Sequence, residues 1–153
     1  MGSLGLLNLS MHLFAAFIWI GSSAFFSLLW LPRVRAGIDP ISWEELLLGL
    51  AKRYLRWSWL AIEILLLTGI FNILRVGVDT GFTFPPVFIR RLLAKLLIVA
   101  IMIGIQIGLS FSWIPNVARR PFTRKSERAV RRALVATSVG GGVAMWLALT
   151  LRG

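Results

Sequence analysis

The chain has no cysteine, a single histidine and only six acidic residues among 153. Without thiols there are no disulfides, iron–sulfur clusters, thiolate zinc sites or thiol nucleophiles. One histidine cannot supply a metal cluster of imidazoles. Of the six carboxylates only Glu63 falls inside an apolar run, so neither a paired-carboxylate site nor a Ser-His-Asp arrangement is available there. A catalytic function is not expected from these residues. Charge is scarce overall: 15% of residues are charged, whereas 58% are hydrophobic. A soluble domain of this size leaves too much of its surface in water to hide that much apolar side chain, and a bilayer removes the difficulty.

What is present is arranged accordingly. Four apolar runs, over about residues 5–31, 57–76, 88–114 and 131–151, each approach the ~20 residues a membrane-crossing helix needs. The expected fold is all-α: one transmembrane domain over the whole chain, an integral membrane four-helix bundle. The first run lacks a basic leader and exceeds the ~7–15-residue apolar core of a cleaved signal, so it reads as a retained span. Pro32-Arg33 stops it. Asp39-Pro40 then turns the chain, and Ser42 with Glu45 forms a capping-box pattern. The helix that starts there is a short interfacial one or runs straight into the second span. Asp79-Thr80-Gly81 reads as a turn, and Pro85-Pro86 opens the third span, where proline is tolerated. Arg119 to Arg132 reads as a basic loop.

The seventeen basic residues are unevenly placed. Twelve lie between the first and second or the third and fourth spans, and four lie at the other ends. Such a bias puts both basic loops in the cytoplasm and both termini outside. Positive charge at the ends of apolar runs suits phospholipid head groups, and the phosphate-tracking surface of a nucleic-acid binder is missing. Small residues recur every four positions at Ala136, Gly140, Ala144 and Ala148, and again at Gly104 and Gly108. Stripes of this kind let helices approach closely in lipid.

Ionisable and polar residues inside the spans are costly, and each is a candidate site residue. At ~1.5 Å rise per residue, His12 in the first span and Lys95 in the third fall at a similar depth near the expected outer side, with Asn72 of the second span at a comparable level. Trp19 shares the His12 face, two turns on. Gln106 shares the Lys95 face. Glu63 aligns with Arg56 rather than with Asn72, which suggests a second, inner polar level around Glu63 and Gln106. His12 is the obvious metal ligand. Imidazole and thioether suit copper(I), although neighbouring Met11 diverges from His12 by about 100° on a helix. A haem needs one or two axial ligands, and His12 could supply one, with Lys95, a methionine, water or another subunit's histidine as the second.

These residues also carry a resemblance. His12-Leu-Phe-Ala-Ala-Phe-Ile-Trp19-Ile-Gly21 followed by Leu31-Pro32-Arg33 resembles the first helix of CopD-type (copper resistance D) membrane domains. Ala51-Lys-Arg53-Tyr-Leu-Arg56, then Leu67-Thr68-Gly69 and Asn72, is similar to the next helix of that family. Arg91-Leu-Leu-Ala-Lys95-Leu, with Pro115 beyond it, is similar to the one after. HemJ-type protoporphyrinogen oxidases share the outline, with a histidine in the first helix and a lysine in the third. The first resemblance implies copper transport or homeostasis. The second implies a haem b held by the residues matching His12 and Lys95. A third reading, from the small-residue stripes, is a structural subunit of a larger membrane complex. The single histidine leaves a homo-oligomer or such a complex as the route to any bis-histidine site.

Overall fold

A computed structural model of the chain describes residues 3–30, 40–113, 115 and 124–150. Four long helices account for them. α1 (Ser3–Ala24) continues into a π-helical turn, Phe25–Trp30. α2 runs from Pro40 to Asp79. α3 (Pro86–Gly108) continues into a second π-helical turn, Leu109–Trp113. α4 spans Arg124–Thr150. Within these, Ser3–Leu28, Leu48–Asp79, Pro86–Ser112 and Glu127–Leu149 are long and apolar enough to cross a membrane. The chain is an all-α, multi-pass membrane protein.

Two boundaries differ from those the apolar runs suggest. α2 carries no break between Pro40 and the second span, so of the two alternatives the segment runs straight into the span, as the start of one 40-residue helix. At 1.5 Å per residue that rod is ~60 Å long, twice the ~30 Å hydrocarbon thickness. The helix survives the charges because they sit on one side of it: Lys52, Arg53 and Arg56 are exposed while Tyr54 and Ser58 are buried. Likewise α4 begins at Arg124, so the second half of the stretch read as a basic loop is helical. Pro32, Arg33, Asp39 and the first half of that stretch fall outside the described residues, as do the Ser42 and Glu45 side chains.

The turn at Asp79 appears as expected. The amide of Thr80 donates to the Val76 carbonyl (3.0 Å) and that of Phe82 to Gly77 (2.6 Å), closing the helix end over two residues with positive φ, Gly81 and Phe82. Gly77 has to be glycine here, since a Cβ would stand 2.6 Å from the Phe82 ring.

α1 lies between α2 and α4, and α3 packs along α4. The small residues of α4 allow this on two sides. Gly140 takes Met102 and Ile98 of α3, and the backbone of Gly141 is covered by Ile20 of α1. Gly104 and Gly108 have no neighbour within 4 Å of the Cβ position, so the small-residue pattern of α3 makes no close helix contact within the chain. Two apolar clusters fill the interior. One, at the end where the chain begins, joins Ala15, Trp19, Ala61, Ile62 and Met102. The other, toward the end bearing Lys52, Arg53 and Arg56, joins Tyr54, Leu109, Ala133 and Leu134. There the π turn of α1 is tied to α4, because the Arg131 Nε–H donates to the Ser27 carbonyl at 3.2 Å.

Replacing Gly141 by Leu drives a side chain into Ile20 and is expected to lower stability by about 1–3 kcal/mol, the usual cost of over-packing. Gly142 faces open space, and Gly142→Ala is expected to be neutral or stabilising by up to about 1 kcal/mol. Thermal unfolding of the two variants in one detergent checks both.

Candidate functional site around His12

The site is a seam of polar side chains between α1 and α2. On α1, Asn8 and His12 are one turn apart on one face; on α2, Thr68 and Asn72 are likewise. The His12 Nδ1 and the Thr68 hydroxyl are 2.7 Å apart. The Thr68 hydroxyl has one proton, and at 2.6 Å that proton goes to the Ile64 carbonyl a turn earlier. Thr68 must therefore accept from His12, so Nδ1 carries the imidazole proton and Nε2 is left with its lone pair. Gly69 stands beside the ring, where an added Cβ would lie 3.6 Å from Cε1. The Asn8 amide donates to the Asn72 Oδ1 (2.9 Å) and to the Thr68 carbonyl (3.2 Å).

The level expected from depth alone is thus assembled. Asn72 stands next to the histidine's anchor, and Lys95 of α3 lies within electrostatic reach of the imidazole. Met11 points away from this seam and is 46% exposed. Asn8 is a member that depth counting missed; its four-residue spacing from His12 was the available signal. Beyond Asn72, the Arg75 guanidinium lies across Gly5 and faces Asp79 at 4.0 Å. The ring is half-buried, positioned by a second residue through one nitrogen and available through the other. That is the arrangement in which a histidine ligates a metal.

A second polar level lies beyond the apolar layer of Ala15, Trp19, Ile62 and Met102. Ser23 and Tyr54 share a 2.8 Å hydrogen bond, and the Tyr54 hydroxyl donates to the Gln106 Oε1 at 3.4 Å. Gln106 is fully buried, and among the described residues the far end of its amide and the Trp19 indole N–H meet no partner; Ser58 is buried beside Tyr54. Trp59 closes the α2–α3 side by donating to Ser110 at 3.0 Å. Glu63 and Arg56 do not belong to this level. Both are exposed, on the side of α2 opposite Tyr54, Ser58 and Thr68, because a residue nine positions from Tyr54 lands half-way round a 3.6-residue helix. Among the described residues no three His, Cys, Asp or Glu side chains come together as a metal cluster.

The family model described as copper resistance protein D matches residues 48–151, which takes in the spanning part of α2 and the whole of α3 and α4. α1, with His12, lies ahead of the matched range. No curated protein and no solved structure gives a significant match.

The tautomer assignment is directly testable, since the chain has one histidine. Nitrogen NMR of the imidazole is expected to show protonated Nδ1 and unprotonated Nε2 in the native protein. In Thr68→Val, where the anchor is gone, the two tautomers are expected to mix, with stability lowered by about 1–3 kcal/mol for the buried donor left without a partner.

Proposed function

The chain belongs to the copper resistance protein D family, and from that premise we propose that it handles copper in the membrane, with His12 Nε2 as a copper(I) ligand near the outer face. The observation that carries the reading is the His12–Thr68 hydrogen bond. It fixes the ring and its tautomer, and it leaves a neutral, soft-compatible lone pair on Nε2. Thr68 holds the ring, and Asn8 and Asn72 tie the two helices together beside it; Met11 is too far round the helix to join it. The twelve-to-four bias of basic residues supports an orientation with both termini outside, which puts His12 on the side where a periplasmic or external ion arrives. The inner level at Ser23, Tyr54 and Gln106 supplies the next polar groups along the bundle, past an apolar layer. Copper is then the cargo of a transport or homeostasis step.

A second reading rests on Lys95. An ammonium beside the imidazole is better suited to an anion than to a bare cation, and it would pair with a propionate of a haem b carried on His12 Nε2.

Titration of the purified protein with copper(I) under a competing chelator separates these. Copper handling predicts binding that is abolished in His12→Ala and weakened about 10–100-fold in Thr68→Val, the usual cost of removing a residue that orients a ligand. Colour decides the alternative: a Soret band in the protein as purified, lost in His12→Ala, assigns haem and overturns the copper reading.

A further inference from the structure

Gly69 lies well inside α2. It ends no helix, and among the described residues Gly81 is the one glycine with a positive φ. The backbone at position 69 therefore has no need of glycine, which is less favourable than alanine in a helix interior. What sets the position apart is what it faces. Apart from the nearby backbone of its own helix, an added Cβ would meet one atom within 4 Å among the described residues, the His12 Cε1 at 3.6 Å.

That contact shows how the ring is set against the helix. Round the imidazole, Nδ1 is followed by Cε1 and then by Nε2. Thr68 holds Nδ1 at 2.7 Å, and its neighbour Gly69 faces Cε1. α2 therefore runs along the Nδ1–Cε1 side of the ring, and Nε2 is the next ring atom beyond the glycine. A Cβ alone would make an ordinary van der Waals contact; the atoms past it are the ones with reach to Nε2. We propose that Gly69 is a specificity-determining residue of the site. By carrying no side chain it keeps the Cε1–Nε2 edge of His12 clear, and bulk at position 69 sets what reaches Nε2.

The inference rests on the reading of His12 as a ligand through Nε2. Two consecutive residues of α2 then divide the work. Thr68 acts on the ring itself, through its orientation and tautomer. Gly69 acts on access, because a group bound at Nε2 lies in the ring plane beside the Cε1–H bond and shares the space that a side chain at 69 takes. The two roles separate experimentally: losing the first disturbs the imidazole proton, and losing the second leaves that proton in place while closing the edge.

The single histidine allows a test that needs no metal. Diethylpyrocarbonate acylates the unprotonated imidazole nitrogen, and peptide mass spectrometry follows the rate in Gly69→Ala, Gly69→Val and Gly69→Leu. Gly142→Leu, at a position that faces open space, is the bulky control and is expected to react like wild type. Gly69→Ala is expected to react within about 3-fold of wild type and Gly69→Leu at least about 10-fold more slowly, with Gly69→Val between, as crowding grows with volume. Nitrogen NMR is expected to show Nδ1 protonated throughout, and copper(I) affinity to fall in the same order. If Gly69→Leu shows no native thermal transition, Gly69→Val carries the comparison. An unreactive wild-type histidine, wild-type rates in the bulky variants, or mixed tautomers in them overturns the proposal, the last because the side chain then acts on the Thr68 anchor. Rates in the expected order with no copper bound by wild type uphold the role of Gly69 and overturn the copper reading.

Discussion

One hydroxyl proton organises the half of this bundle that holds His12. Thr68 gives its proton to the Ile64 carbonyl of its own helix and so can only accept from His12. Within a bilayer, where no water competes, that choice has consequences on both sides. It fixes which imidazole nitrogen is protonated, it ties α1 to α2 at the level of the candidate site, and it leaves the lone pair on the other nitrogen. Asn8 and Asn72 reinforce the same join, with the Asn8 amide bridging to both the Asn72 side chain and the Thr68 backbone. The polar chemistry that would be a liability in lipid thereby becomes the reason two helices sit in one register.

The second polar level is built differently. Ser23, Tyr54 and Gln106 come from three helices, and their hydrogen bonds do not exhaust their capacity, since one end of the Gln106 amide meets no partner among the described residues. Turning the amide round only exchanges which end is unpaired. Between the levels lie Ala15, Trp19, Ala61, Ile62 and Met102, packed without polar partners apart from the main chain. The protein therefore presents two polar levels separated by an apolar layer, one joined by the His12, Thr68, Asn8 and Asn72 hydrogen bonds and one built on Ser23, Tyr54 and Gln106.

The helix count and class were legible because ~20-residue apolar runs have few alternatives in a short chain. The common level of His12 and Asn72, joined through Thr68 and Asn8, was legible from depth, since rise per residue converts position into height with little ambiguity. Helix ends were less so: charge suggested that the second span starts near Trp57, yet charges confined to one face of α2 do not stop a helix. Rotation about the helix axis was the harder quantity. Glu63 was grouped with Gln106 by height, and the structure puts the two on unrelated faces. Asn8 was passed over because it lies near a helix end, where asparagine usually meets water. Tyr54 was hidden among the lysine and arginines that flank it.

Because α2 is unbroken over 40 residues, Thr68, which anchors His12, and Tyr54 and Ser58 of the second polar level are mounted on a single rod. They cannot be brought nearer or drawn apart by any bending within it. α1 and α3, packed against that rod, each carry a π-helical turn at the same end of the bundle, so the two helices depart from regular α geometry beside a neighbour that does not.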